Sequence, residues 1–250
     1  MRIGDTPLER IDGIYIKLEH LNPSGSIKDR IAQYMIDTAR LSAGDRIIEA
    51  SSGNTAISVA MYAAYLGHPC TLVIPDYTST NKVRLMKAYG AELVLIDGNL
   101  SDCKKHAATL EGTYLDQFSN SANFEAQKIM AREVWKIHPH LVNIVTGIGT
   151  GGTLAGLYWN FPKATFHRWK CVDCPIEGVS DGVELPLKPK KCNLVIHDLN
   201  YAQIYLTKKY LAQHRGWFVG PSSAANFCVA DKLKKEATFT LFVDRGDRYF

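Results

Sequence analysis

The sequence has no apolar run long enough to cross a bilayer. Its most apolar stretch, Ala56 to Leu66, halts at Gly67-His68-Pro69, short of the roughly 20 residues that a membrane helix needs. No basic segment leading into an apolar core opens the chain, so no secretory signal is expected. Cysteine is sparse: six residues, irregularly spaced through 250, make no disulfide framework and fit a reducing cytoplasm. Cys171 and Cys174 form one C-x-x-C. No second pair or His-x-x-x-His completes a zinc site, and no helix start follows as in a redox motif, so both read as core or strand-end residues. Concentrated charge is also lacking. The net +4 is spread along the chain, and the only tight basic run, Lys188, Lys190 and Lys191, sits among prolines. A solvated loop is the better reading of that run, and nucleic acid is not an expected partner. Internal repeats and low-complexity linkers are missing, so any two-domain division must come from chain crossing within one fold.

What remains is the composition of an ordinary globular protein, 46% apolar and 22% charged, long enough for one large or two small domains. Strand and helix patterns alternate. Strands are expected at Ile14 to Leu18, Arg46 to Ala50, Cys70 to Ile74, Glu92 to Ile96, Val142 to Thr146, Trp169 to Val172, Trp217 to Val219 and Phe239 to Val243. Helices are expected at Ile27 to Leu41, Thr55 to Leu66, Ser79 to Tyr89, Phe124 to Ile137, Tyr201 to Gln213 and Ala224 to Lys235. Gly67 and Gly90 fall where helix C-caps belong. The alternation predicts an α/β class of doubly wound, mostly parallel sheets, with a cleft where strand ends converge.

The chain is organised around Asn22-Pro23-Ser24-Gly25-Ser26-Ile27-Lys28-Asp29-Arg30. Ser26 reads as an N-cap and Asp29 as its capping-box partner, which starts a helix at Ile27 and makes Lys28 its second residue. The positive end of the helix dipole disfavours an ammonium there, so the amine becomes a better nucleophile, as an imine-forming enzyme requires. Taken alone, this stretch is more often a solvated charge pairing with Asp29 or Glu19. Three polar turns at expected helix starts change the balance. Gly147-Ile148-Gly149-Thr150-Gly151-Gly152-Thr153 suits a phosphate. It lacks the Gly-Lys-Ser/Thr ending of a P-loop and the Rossmann spacing with its acidic ribose partner, which disfavours a nucleotide site. Ser51-Ser52-Gly53-Asn54-Thr55 suits a small carboxylate, and Gly220-Pro221-Ser222-Ser223 is the third turn. Each has an ordinary structural reading by itself. Together with a lysine they fit a phosphorylated aldehyde cofactor carrying an amino acid.

With Lys17-Leu18-Glu19, Val219-Gly220-Pro221-Ser222-Ser223-Ala224-Ala225 and Asp244-Arg245-Gly246-Asp247-Arg248-Tyr249, these motifs run in order from Ile3-Gly4-Asp5-Thr6-Pro7-Leu8 to the C-terminus. In that order they resemble the cysteine synthase and cystathionine β-synthase family of fold type II pyridoxal-phosphate enzymes. The resemblance implies two α/β domains, a small one at 33–122 and a large one formed by 1–32 and 123–250, with pyridoxal 5'-phosphate between them. It implies that Lys28 forms the internal imine and then serves as acid and base at the substrate's α-carbon. Asn54 would bond the ring hydroxyl, Gly149, Thr150, Gly151, Gly152 and Thr153 the phosphate, and Ser222 the pyridine nitrogen. Ser51, Ser52, Gly53, Thr55, Gln117, Gly178 and Ser180 would bind the amino-acid substrate.

The implied reaction is β-replacement on an activated serine by sulfide or a thiol to give cysteine, in a cytoplasmic homodimer. Two other readings stand beside it: an elimination lyase acting on cysteine, serine or threonine, and a shortened non-catalytic relative that serves as a binding protein. The segments from Asp97 to Leu115 and from Asp173 to Ile176 look shortened, the family's N-terminal helix-plus-strand extension is missing, and Thr78 to Lys82 lacks a common Glu-Arg pair. Ser180 and Asp181 stand where the family often has glycine and alanine, which leaves the choice of substrate open.

Overall fold

The computed structural model describes residues 1–179 and 191–249; Ser180 and Asp181, with Lys188 and Lys190 of the basic run, lie outside them. In chain order the elements are β1 (Leu8–Ile11), β2 (Ile14–Lys17), α1 (Lys28–Thr38), β3 (Ile47–Ala50), α2 (Asn54–Leu66), β4 (Cys70–Pro75), α3 (Thr80–Ala88), β5 (Glu92–Ile96), α4 (Leu100–Ala107) and β6 (Thr113–Tyr114). There follow α5 (Ala122–Ile137), β7 (Asn143–Val145), α6 (Gly152–Asn160), β8 (Thr165–Cys171), β9 (Leu194–Leu199), α7 (Tyr201–Arg215), α8 (Pro221–Leu233) and β10 (Thr238–Leu241).

The strands form two sheets. One has the order β1-β2-β10-β7-β8-β9 and is parallel except for the β1–β2 hairpin; the other has the order β5-β4-β3-β6 and is parallel throughout. Every residue of β3, β4, β7 and β10 is buried, as strands covered by helices on both faces must be. Around β3 and β4, Ile47, Leu72 and Ile74 pack with Ile31, Met35, Ile57 and Met61 of α1 and α2. In the larger sheet, Phe166, Phe239 and Ile144 pack with Leu154 and Leu157 of α6 on one side. On the other side, Trp169 and Ile16 pack with Ala224, Phe227 and Val229 of α8.

One buried side chain fixes the strand ends that matter most. Asn226 Oδ1 accepts from the Gly147 amide and from Trp169 Nε1, both at 2.8 Å, while its Nδ2 donates to the Leu241 carbonyl at 3.1 Å. β7, β8 and β10 are thereby tied to α8, and the glycine loop leaves the sheet from a fixed point.

Several local expectations are corrected. The helix holding Lys28 begins at Lys28, not Ile27, and no capping box forms. Ser26 Oγ accepts from the Lys28 amide at 3.2 Å. Asp29 does not reach back to Ser26; it accepts from the Ser24 amide at 2.7 Å and the Ser58 hydroxyl at 2.6 Å, which fastens the preceding turn to α2. Trp217 to Val219 is not a strand; Val219 makes only an isolated antiparallel bridge with Arg245. Helix α8 begins at Pro221, three residues before Ala224, because a proline at the first helical position supplies the required φ and lacks only a donor that would be unpaired. β8 runs from Thr165, and β1, β6, β9 and α4 are additions to the elements expected from the sequence. Gly67 does cap α2 with φ 79°, and Gly90 follows α3 with the same angle.

Candidate active site

Polar turns that follow β3, β7 and β8 and precede α8 converge with the start of α1 on one cleft. Its walls include Lys28, Asn54, Gly149, Thr150, Gly151, Thr153, Gly178 and Ser222, together with Asp244 and Tyr249. Gly152, the first residue of α6, is buried behind this wall against Asn123. An adjoining hollow, reached past Lys28 and Asn54, is lined by Ser51, Ser52, Gly53, Thr55, Gln117 and Gly178. The structure thus gathers the residues singled out in the sequence around one space, with Gly152 just behind; Ser180 lies outside the described residues.

The side-chain amine of Lys28 has no hydrogen-bond or ion-pair partner among the described residues. Glu19 pairs instead with Arg30 at 2.7 Å, and Asp29 is taken up by serines, so the solvated-ion-pair reading of Lys28 falls. Burial, opposed in part by the nearby Asp244 carboxylate, brings its amine down to about 8. Desolvation therefore accounts for the lowered value that the sequence reading ascribed to the helix dipole.

The glycine loop is shaped for an anion. The amides of Gly149, Thr150 and Gly151 have no acceptor among the described residues, and they stand at the positive end of α6. Gly151 has φ 90°, which a side chain would resist. A Cβ on Gly149 would meet the Gly178 carbonyl at 2.5 Å, and one on Gly152 would strike the Asn123 amide. Asn123 Nδ2 in turn donates to Thr150 Oγ1 at 3.0 Å and to the Gln117 carbonyl at 3.0 Å, joining the two halves of the site from α5.

Asn54 is held from both sides. Its Nδ2 donates to Asp244 Oδ2 at 2.7 Å, and its Oδ1 accepts from Arg248. Asp244 is 1% exposed, accepts a further bond from the Tyr249 hydroxyl, and keeps Oδ1 buried without a partner among the described residues. Burial raises its carboxyl above the usual range. The Lys82 ammonium pairs with Glu177, which lines the cleft beside Gly53 and Gly178. The sequence assigns no role to Asp244, Arg248 or Tyr249, although their motif contributes to the resemblance; Glu177 opens the substrate-side loop that the resemblance marks but carries no role there, and Asn123 has no signal.

An amine and helix-start amides without partners among the described residues, with an oriented side-chain amide, are the donor set that pyridoxal phosphate requires of a protein. Comparison with known proteins agrees. Residues 1–186 match the family described as "Pyridoxal-phosphate dependent enzyme". The "Probable cysteine synthase" of Bacillus subtilis (strain 168) is 35% identical over 291 aligned positions, covering 99% of this chain and 94% of that protein. The crystal structure of an O-acetylserine dependent cystathionine beta-synthase from Helicobacter pylori superposes with a TM-score of 0.89 at 29% identity, covering 99% of this chain and 95% of that one. That of O-acetyl serine sulfhydrylase isoform 3 from Entamoeba histolytica gives 0.90 at 27% identity, covering 99% and 88%. The cleft, the residues that line it and these likenesses agree: the chain belongs to the pyridoxal-phosphate dependent enzyme family, in its cysteine synthase and cystathionine β-synthase branch, and its cofactor is pyridoxal phosphate.

Proposed function

We propose that the protein makes cysteine by β-replacement, exchanging the β-substituent of O-acetylserine or a similar activated serine for sulfide or a thiol. One observation carries this reading. The Lys28 amine, without a partner among the described residues, shares a cleft with amides at the head of α6 that likewise have none there, and opens onto a polar turn at the head of α2. Pyridoxal phosphate, when bound, withdraws electrons from the α-carbon of an attached amino acid and so allows a β-group to leave.

The chain's own groups divide the remaining work. Gly149, Thr150, Gly151, Gly152 and Thr153 would hold the phosphate, Asn54 the ring hydroxyl, and Ser222 the ring nitrogen. A serine, unlike an aspartate, does not keep a proton on that nitrogen, which favours β-substituent loss over transamination. Ser51, Ser52, Gly53, Thr55 and Gln117, with Gly178 and Ser180, would bind the substrate. Lys28 would hold the cofactor at rest, then take the proton from the substrate's α-carbon and return it once the nucleophile has added. An amine near 8 leaves a useful unprotonated fraction at neutral pH for that step.

We assign residues 33–122 to a small domain and the remainder to a large one, supported by the four-stranded sheet lying between Ile47 and Tyr114. A homodimer is the proposed assembly, for which exposed Trp135, Ile137 and Trp159 on α5 and α6 offer apolar surface. Six free cysteines suit the reducing cytoplasm proposed for it. No helix among the described residues is long and apolar enough to cross a membrane.

Product analysis with O-acetylserine tests the reaction. Sulfide should be consumed and cysteine formed in equal amount; pyruvate as the sole product, with or without sulfide, would replace β-replacement by elimination.

A further inference from the structure

Beneath the carboxylate turn lies a buried acid that the proposed reaction leaves unused. Glu49 is the third residue of β3, two before Ser51, and is 0% exposed. Its Oε1 accepts from Gln117 Nε2 at 3.3 Å, while Oε2 is buried without a partner among the described residues. Gln117 Oε1 is occupied by the Thr55 hydroxyl at 2.7 Å. A primary amide held in this way cannot flip, because its oxygen has a donor and one of its two N–H groups has an acceptor. The second N–H is left for the hollow that Gln117 and Thr55 both line.

We propose that Glu49 is a positioning residue of the carboxylate subsite, holding the Gln117 amide in the one orientation that turns an N–H toward the substrate's carboxylate. The proposal rests on the reading of Ser51 to Thr55 and Gln117 as that subsite. A negative charge at Glu49 would repel the carboxylate bound above it, so the residue serves best uncharged. Its surroundings keep it so. Burial and Asp116, which follows β6, push its carboxyl up to about 8, against weaker lowering by Gln117 and by Lys104 on α4. Tyr114 on β6, whose hydroxyl is buried without a partner among the described residues, and Cys70 on β4 also face this carboxyl, and neither carries a positive charge to oppose the effect.

The test is the binding of propionate, a carboxylate without an amine, to the holoenzyme, followed by absorbance of the bound cofactor. Glu49→Leu should weaken propionate by roughly ten-fold, the effect of one lost buried hydrogen bond. Glu49→Gln, which keeps an acceptor for Gln117, should retain wild-type binding at neutral pH. Wild-type affinity should fall as pH rises above about 8, and the Glu49→Gln profile should stay flat there. Wild-type affinity in Glu49→Leu, or an unchanged alkaline fall in Glu49→Gln, would overturn the proposal; if the leucine variant does not fold, the glutamine profile decides. Thr55→Val separates the two levels. If it binds propionate normally, the subsite reading fails and the proposal with it; if it binds weakly while both Glu49 variants behave as wild type, only the role of Glu49 is lost.

Discussion

Asn54 donates its side-chain amide to Asp244 Oδ2 across 2.7 Å, joining the first residue of α2, beside the four-stranded sheet, to the segment that follows β10 of the six-stranded one. Arg248 closes the other side of the same amide, and Tyr249 shares the same carboxylate. The orientation of Asn54 is therefore set by residues nearly two hundred positions downstream. Asp244 also acts on Lys28, opposing the fall that burial imposes on the amine.

Asp244→Ala should accordingly weaken cofactor binding although it removes no atom assigned to hold the cofactor. Freeing Asn54 and stranding the Tyr249 hydroxyl should cost about 1–2 kcal/mol, or roughly ten-fold in dissociation constant. Equilibrium dialysis with pyridoxal phosphate measures it. Affinity equal to wild type would show that Asn54 does not depend on this clamp.

The Lys82–Glu177 pair joins α3 to the turn after β8. The lysine side chain is 3% exposed and the glutamate 46%, so Glu177→Gln leaves a buried ammonium without its counter-charge. Because the glutamate is partly hydrated, the expected loss is about 1–2 kcal/mol, below that of a fully buried pair. The urea midpoint should drop accordingly and the KM for the amino-acid substrate should rise, since Glu177 lines both parts of the cleft.

A second ionic cluster carries the start of α1. Arg30 pairs with Glu19 and with Glu133, each at 2.7 Å, and Glu133 also receives Lys17 at 2.7 Å. Arg30→Met should destabilise the protein by about 3–5 kcal/mol, because it leaves the fully buried Glu19 without its counter-ion. Its pH dependence gives a separate check. Burial alone would raise Glu133, but Arg30 and Lys17 outweigh it and hold its carboxyl below the usual value of 4.5. A depressed carboxylate stabilises the fold above that value and ceases to do so as pH falls through the lower folded value. Acid unfolding of the wild type should therefore show this loss, and the Met variant should lack most of it.

The sequence made the cofactor residues legible because each lies in a short contiguous motif at a strand-to-helix turn: Lys28 after Ser24-Gly25-Ser26, Asn54 after Ser51-Ser52-Gly53, and Ser222 after Gly220-Pro221. Residues that orient them were hidden, because each acts across long sequence separations. Asn226 reaches Gly147, Asn123 reaches Thr150, Glu49 reaches Gln117, and Asp244 reaches Asn54. Nothing in the local pattern around Glu49 or Asn123 distinguishes either from a surface residue; only the packed sheets place them inside. The unanticipated strands have a similar cause. β6 is two residues long, and β9 has only Leu199 fully buried, so neither carries a readable alternation. In the opposite direction, Trp217-Phe218-Val219 has strand composition, yet it finds only a single bridge. The sequence pattern starts α1 one residue early because Asp29, the expected capping partner, instead binds Ser24 and Ser58.

Reduction of the holoenzyme with borohydride, followed by peptide mapping, is the measurement closest to the central claim. A pyridoxyl group should be found on Lys28 and should be lost in Lys28→Ala. Its recovery on another lysine, or on none, would contradict the account.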